Sequence, residues 1–207
     1  MKASAGLSNR RIVVIAEGDT ERAARNHLKE FLDARAGSLP RVRLHVAKLD
    51  GGLAERRVRD LADRHLREEG TLGVVALSDL YPRYRDAADA KRVIASWMPI
   101  DPRCHVHVAK HDFEAWLLAD WRAVLRQAGV EGRQPWGAKP EEIDVDRPPA
   151  HRLRELFAHG GRSSYKKTVD GKKLFEALDL EAAAGQCPEL RSFLNCLLAL
   201  AGYPVLA

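Results

Sequence analysis

The chain has 207 residues, of which 45% are hydrophobic and 30% are charged, a composition typical of a globular protein with a substantial core. Its formal net charge of +5 at pH 7 is mild evidence for a polyanionic partner. The three cysteines are widely spaced, the N-terminus lacks the apolar core of a signal peptide, and no apolar run is long enough to span a membrane, so we expect a soluble cytoplasmic protein.

Short apolar runs alternate with helix-period patterns along the first 128 residues. Runs typical of buried strands occupy residues 12–16, 72–77 and 104–109, and alternating apolar and polar residues at 42–47 predict a strand with one wetter face. Apolar residues at helical spacing predict helices from about Thr20 to Ala34, up to Gly70, from Asp86 to Trp97, and from Asp112 onward. This alternation predicts an α/β fold with a four-stranded parallel sheet flanked by helices.

The composition changes after residue 128. Glycine and proline breakers accumulate in residues 129–150, which we interpret as a surface excursion. Residues 151–207 carry two apolar stripes at helical spacing, which predict a helical C-terminal extension packed on the core of residues 1–128. Between the stripes lies a cationic segment, RSSYKK, at residues 162–167.

Acidic residues follow the predicted strands at the points where they end. Glu17 and Glu21 come after the first run, Asp79 after the third, and Asp112 and Glu114 after the fourth. Because the carboxyl ends of parallel strands share one edge of a sheet, we expect these carboxylates to converge. Such a set, without matching histidines or cysteines, favours Mg²⁺ or Mn²⁺. Each acid taken singly is also explained as a turn residue or helix cap, so the joint placement carries the prediction.

Other polar residues offer weaker candidates. His105 and His107 share one face of a predicted strand, and His111 is near, which leaves zinc as an alternative. His111 is a candidate for supporting the metal or contacting phosphate, and a polar or capping role explains it equally well. Lys166 and Lys167 are candidates for meeting phosphate or transition-state charge, with a solvated loop as the alternative.

Several motifs resemble one known family. They are EGDTE at residues 17–21, LSDLYPRY at 77–84, KHDFEAWLLAD at 110–120, YKKTVDGKKL at 165–174, and the pair Cys187-Pro188. Together they resemble the DUF4276 family, a Toprim-like family of unknown function that is related to the nuclease half of overcoming-lysogenization-defect (OLD) proteins. The resemblance runs from Arg11 to about Leu197 and implies a Toprim fold and a Mg²⁺-dependent site.

The resemblance also implies roles for individual acids. Glu17 matches the Toprim glutamate, Glu21 the acid one helical turn later, and Asp79 the first aspartate of the Toprim DxD motif. Tyr81 stands in place of the second aspartate, so one ligand of the general pattern is missing. The segment after the fourth strand is expected to supply the lost ligand, since it carries Asp112, where the family usually has glutamate, and Glu114, which matches the acid before the tryptophan.

The leading hypothesis is a Mg²⁺- or Mn²⁺-dependent nuclease that cleaves DNA or RNA. The resemblance implies that it acts in bacterial antiviral defence beside an ATPase partner. Its expected ligands are Glu17, Asp79 and Glu114, with Glu21 and Asp112 as supporting ligands or bases. The expected substrate-binding residues are His111, Arg162, Lys166 and Lys167, the two lysines also stabilising charge during catalysis. The alternative is a non-catalytic Toprim-like module that regulates an ATPase complex, and a homo-oligomer is compatible with either hypothesis.

Overall fold

The computed structural model describes residues 9–49, 53–80, 82–130, 132–134, 139–143, 147–161 and 164–207. The strands are Arg11–Ala16 (β1), Arg43–Lys48 (β2), Thr71–Asp79 (β3) and Cys104–Ala109 (β4). The α-helices are Asp19–Arg35 (α1), Glu55–Leu66 (α2), Ala87–Trp97 (α3), Glu114–Leu117 (α4), Trp121–Ala128 (α5), Pro149–His159 (α6), Lys172–Ala177 (α7), Leu180–Gln186 (α8) and Pro188–Ala201 (α9). Short 3₁₀ turns span Leu118–Asp120 and Pro140–Glu142, and a π-helical turn spans Lys167–Gly171.

The strands form one parallel sheet in the order β2-β1-β3-β4. The run from Ile12 to Ala16 in β1 is at most 1% exposed, because helices cover both faces of the sheet. Apolar runs without polar alternation are what such a doubly covered strand requires. The predicted α/β fold with a four-stranded parallel sheet is confirmed.

Alternate residues of β1 pack into two apolar layers on opposite faces of the sheet. Ile12 and Val14 belong to the larger layer, which also holds α1 and the C-terminal helices. Val13 and Ile15 face the other layer, where Val58 of α2 and further apolar side chains of α3 pack. The C-terminal helices therefore share a core with the central strand. The division of the chain at residues 128 and 150 stays a prediction.

The predicted helix from Asp112 is broken into pieces in the structure. The short α4 passes into the 3₁₀ turn, and α5 begins after Asp120, whose side chain accepts a hydrogen bond from the backbone N–H of Ala123 at 2.9 Å. An aspartate in this position starts a new helix instead of continuing the old one. The break at Leu118–Asp120 therefore leaves Glu114 at the start of a helix of only four residues.

Part of the predicted surface excursion lies in the interior. Glu141 is 2% exposed, and one of its oxygens accepts a hydrogen bond from Trp116 Nε1 at 2.9 Å. The same carboxylate accepts the backbone N–H groups of Glu189 and Leu190 at the start of α9, at 3.0 and 3.1 Å. It thereby satisfies helix-terminal donors that would otherwise be buried without a partner. Within the described ranges, none of the helices combines the length and apolar character needed to cross a membrane.

Candidate active site

A cleft of about 190 Å³ opens at the carboxyl ends of β1 and β3, and we call it the acidic cleft. Its described lining comprises Glu17, Gly18, Thr20, Glu21, Asp79, Arg83, Phe113, Lys167 and Thr168. The side chains come from the end of β1, the start of α1, the end of β3, the segment before α4, and the π-helical turn. The strand ends are thus brought together as the parallel sheet requires.

Glu17 is oriented by two neighbours from the segment that ends β3. Ser78 Oγ donates a hydrogen bond to Glu17 Oε1 at 2.6 Å, and Arg83 Nη1 lies 3.5 Å from Glu17 Oε2. Arg85, which follows in sequence, instead pairs with Asp86 at 3.1 Å. Sequence reasoning missed Ser78, although a hydroxyl directly before Asp79 on an adjacent strand was the available signal.

Glu21 lies deeper, one turn into α1, and is 6% exposed. The pKa of Glu21 is raised to about 7, mainly by burial and also by the nearby charges of Glu114 and Glu17, while Lys167 acts in the opposite direction. A Cβ atom on Gly18 would lie 2.6 Å from Glu21 Oε2. The glycine of the EGDTE motif therefore leaves the space that this carboxylate needs.

Asp79 joins the end of β3 to the segment before α4. Its Oδ1 accepts a hydrogen bond from the backbone N–H of Phe113 at 2.9 Å. Burial raises the pKa of Asp79 well above its ordinary value, and the charges of Glu21, Glu114 and Asp112 act in the same direction. Tyr81, which replaces the second Toprim aspartate, lies outside the described residues.

Asp112 is buried beneath the cleft and is 6% exposed. Its Oδ2 accepts the backbone N–H of Ala150 at 3.0 Å, whereas no described group hydrogen-bonds to its Oδ1. Burial, followed by the charge of Glu114, raises the pKa of Asp112 to about 7. A buried carboxylate oxygen without a donor is costly unless a cation or proton satisfies it.

His111 precedes Asp112 in an unusual backbone conformation. Its φ is 72°, in the left-handed region that costs a non-glycine residue about 1–2 kcal/mol, and its side chain is 5% exposed. Strain of this kind persists where surrounding contacts hold it, and it concentrates at functional sites. The structure thus places His111 next to the acidic cleft, but His111 is not part of the cleft's described lining.

Glu114 is the most deeply buried of the acids, at 0% exposure. Lys167 Nζ donates to its Oε2 at 3.0 Å, and its Oε1 lies 3.4 Å from the hydroxyl of Tyr165 and 3.5 Å from Thr20 Oγ1. Three segments distant in sequence therefore meet at one carboxylate. Because an isolated buried charge is strongly unfavourable, the ammonium of Lys167 is the contact that makes this position tolerable.

The cationic segment contributes one lysine to the cleft. Partial burial opposes the charged form of Lys167, but Glu114 and the neighbouring aspartates outweigh it and raise its pKa, so the ammonium stays charged. Lys166 has an exposed side chain that does not line the cleft, and its backbone N–H donates to Asp170 at 2.8 Å. Arg162 lies outside the described residues.

The acidic cleft suits a hard divalent cation in its donor chemistry. Its lining acids Glu21 and Asp79 have pKa values raised by burial and by neighbouring carboxylates. Asp112, which is buried and does not belong to the described lining, keeps one oxygen without a donor. Among the residues that the structure describes, no three His, Cys, Asp or Glu side chains are already arranged around one ion position. Lys167 and Arg83 lie against two of the acids, so an incoming cation competes with these two side chains.

The structure does not support the alternative of a zinc site at His105 and His107. His107 packs its ring against Phe193, with centroids 5.8 Å apart, and burial lowers the pKa of His107 to about 4. His105 lies further out on β4 and is only half-buried. A neutral histidine in aromatic contact is typical of a core residue, and the described chain does not surround this pair with further ligands.

Comparisons with known proteins agree with this architecture. Among solved structures, the C-terminal region of the Burkholderia pseudomallei OLD protein matches with a TM-score of 0.53 and 18% identity, over 92% of this chain and 98% of that one. The two chains share a fold. No curated protein gives a significant match. The model of a domain of unknown function, DUF4276, matches residues 16–198. Because these residues make up most of the chain, the protein belongs to the DUF4276 family, as the motifs predicted.

Proposed function

We propose that this protein is a divalent-metal-dependent nuclease whose active site is the acidic cleft. The observation that carries the proposal is a cluster of carboxylates at three strand ends. Glu17, Glu21 and Asp79 line the acidic cleft, and the charges of the buried Asp112 and Glu114 interact with those of Asp79 and Lys167. Membership of the DUF4276 family and the fold shared with the OLD C-terminal region support it.

Glu17, Asp79 and Glu114 are the proposed ligands. A cation bound there supplies positive charge to the scissile phosphate and activates water for attack. Glu21 and Asp112 have pKa values raised to about 7, which suits a group that accepts a proton near neutral pH.

Two cationic side chains, Lys167 and Arg83, complete the proposed site. Lys167 stays charged at the floor of the cleft, where its ammonium stabilises negative charge that develops on the phosphate. Arg83, 3.5 Å from Glu17 and 42% exposed, is placed to meet a phosphate that enters from solvent. Because both side chains are already in position, little reorganisation is needed when the substrate binds.

The resemblance to OLD proteins supports the wider proposal of a role in bacterial antiviral defence beside an ATPase partner. Co-expression with a neighbouring ATPase from the same operon tests it. We expect the two proteins to co-purify, and the ATPase to change the cleavage rate.

Metal binding and cleavage together test the central proposal. We expect Mn²⁺ to raise the melting temperature, since a ligand at about 100 times its Kd stabilises the folded state by about 2.7 kcal/mol. Glu17→Gln and Asp79→Asn should abolish that rise and the cleavage of plasmid, linear and single-stranded DNA or RNA. Glu142→Gln, at an exposed acid away from the cleft, is the matched control.

The outcomes separate the two candidate functions. Cleavage that survives in Glu17→Gln and Asp79→Asn would have to come from a contaminant or another site. A folded protein that neither binds Mn²⁺ in calorimetry nor cleaves any of these nucleic acids is instead a partner or regulatory module.

A further inference from the structure

A second, larger cavity of about 700 Å³ lies beside the acidic cleft, and we call it the cation groove. It is formed between α1, the edge strand β2 and the turn that leads into α7. Its polar lining comprises Arg22, Arg25, Asn26, His45, Thr168 and Lys172. No aspartate or glutamate lies among its described lining residues, and Lys172 pairs with Glu176 at 3.7 Å, so the positive charge of the groove comes mainly from Arg22 and Arg25.

The cation groove is continuous with the acidic cleft. Thr168 lines both cavities, and it directly follows Lys167, which lies at the floor of the cleft. On α1, the adjacent residues Glu21 and Arg22 line the cleft and the groove, respectively. A chain molecule that leaves the cleft along α1 therefore enters the groove.

The arginines of the groove are not neutralised by the protein's own acids. Both side chains are exposed, and among the described residues neither Arg22 nor Arg25 forms an ion pair with a carboxylate. Arg25 donates to the side-chain oxygen of Asn26 at 3.0 Å, a neutral partner. Residues three apart on a helix present their side chains about 5–6 Å from one another on the same face. Arg22 and Arg25 thus project from one face of α1 and both line the groove.

The positive charge continues past the far end of the groove. A smaller cavity of about 390 Å³ extends beyond Arg25 and His45, and its further cations are Arg11, Lys29 and Arg43. Arg11 pairs with Glu68 at 2.7 Å, and Lys29 pairs with Asp33, whereas Arg43 is exposed and forms no ion pair among the described residues. Uncompensated charge therefore extends from the part of the surface that adjoins the acidic cleft to the edge strand β2.

We propose that the cation groove binds the phosphodiester backbone of a nucleic-acid strand next to the bond that lies in the acidic cleft. The identity of the cleft as the cleavage site rests on the proposed function, whereas strand binding in the groove does not need the metal. Arg22 and Arg25 contact successive phosphates, and Lys172 and Thr168 contact the strand where it enters the cleft. No Phe, Tyr or Trp lies in the described lining, so contacts to the phosphates dominate and the binding depends little on base sequence.

Binding of a fluorescein-labelled oligodeoxythymidylate, followed by fluorescence anisotropy in EDTA, tests this inference. Arg22→Gln/Arg25→Gln removes two phosphate contacts, which should reduce the slope of log K against log salt by about 1.4. At ~0.1 M salt that difference corresponds to roughly 25-fold weaker binding. Arg22→Lys/Arg25→Lys keeps both charges and should retain most of the affinity.

Arg64→Gln/Arg67→Gln is the matched control. These arginines are also exposed and three residues apart, but they belong to α2 and its C-cap, on the opposite face of the sheet. The control variant should bind the oligonucleotide like the parent protein. The inference is overturned if Arg22→Gln/Arg25→Gln and Arg64→Gln/Arg67→Gln bind equally well at every salt concentration. It is also overturned if the parent protein does not bind the strand in EDTA.

The result is independent of the test of the nuclease proposal. Arg22→Gln/Arg25→Gln should keep the Mn²⁺-induced rise in melting temperature, because neither arginine contacts a proposed ligand. If the parent protein binds the strand but does not bind Mn²⁺, the nuclease proposal alone is wrong. If the parent protein binds Mn²⁺ but does not bind the strand, the proposal for the cation groove alone is wrong.

Discussion

Replacing Lys167 with methionine should destabilise the metal-free protein through Glu114. The Lys167 ammonium lies 3.0 Å from Glu114 Oε2, with side-chain exposures of 41% for the lysine and 0% for the glutamate. Methionine keeps most of the length of the side chain and removes its charge. The buried carboxylate then loses its counter-charge and cannot reach water.

The size of the effect follows from this asymmetric burial. Removing one partner of a buried ion pair costs about 3–5 kcal/mol, whereas an exposed pair contributes about 0–1 kcal/mol. Since Lys167 is partly open to solvent, we expect a loss of about 2 kcal/mol, or about 4–8 °C in melting temperature for a chain of this size. Lys166→Met is the matched control and should stay within about 0.5 kcal/mol of the parent, because that side chain is exposed.

A double-mutant cycle isolates the pair. Urea denaturation in EDTA gives the free energy of unfolding for the parent, Lys167→Met, Glu114→Gln and the combined variant. In the Glu114→Gln background, the lysine replacement should cost much less, since a neutral amide needs no counter-charge. Equal costs in both backgrounds, or a Lys167→Met protein as stable as the parent, would refute the assignment of Lys167 as the counter-charge of Glu114.

Three further variants probe the surroundings of the site. Because the pKa of Glu21 is about 7 in the folded protein and near 4.5 in the unfolded chain, its protonated form stabilises the fold below pH 4.5, and this stabilisation is lost as pH rises through 7. Glu21→Gln, which mimics the protonated carboxyl, should therefore stabilise the metal-free protein by about 2 kcal/mol at pH 8 and very little at pH 4.5, measured by urea denaturation. Glu141→Ala leaves three buried donors unpaired and should cost about 3 kcal/mol in the same assay, with the exposed Glu142→Ala as control. Gly171→Ala places a Cβ 2.5 Å from the hydroxyl of Tyr165, so it should displace this ring from the buried carboxylate and lower Mn²⁺ affinity in calorimetry.

The sheet and the acidic edge were predictable because their signals are local. A β-branched run such as Ile12–Ala16 has few alternatives to a buried strand, and parallel pairing then fixes which ends of the strands lie together. The meeting of Glu17 and Asp79 in one cleft could therefore be predicted without knowing their side-chain contacts. Glu114 was likewise predicted from its position after the fourth strand, and the family motifs supported that prediction.

The contacts that complete the site depend on tertiary packing and leave little trace in the sequence. Lys166 and Lys167 are adjacent and chemically identical, yet only the second lines the acidic cleft among the described residues. A π-helical turn begins at Lys167 and determines which lysine faces the cleft. Its wider winding departs from the 3.6-residue period of an α-helix, so the sequence pattern does not reveal it. Glu141 likewise lies in a segment rich in breakers, and its inward turn follows from donors on Trp116 and α9.

The charge arrangement explains how an acidic cleft can receive a polyanion. Carboxylates that hold a metal repel phosphate when the metal is absent, and in this protein their pKa values are raised by burial and by one another. Lys167 offsets part of that charge from within, at the cost of competing with an incoming metal. Arg22 and Arg25 lie just outside, exposed and without carboxylate partners in the described chain, so their field reaches solvent. Under the two proposals, a strand attracted first by the groove would bring its phosphates to the cleft, and their oxygens would add ligands for a metal there. Metal affinity should therefore rise when a strand is bound, and by thermodynamic linkage strand affinity should rise equally when the metal is bound.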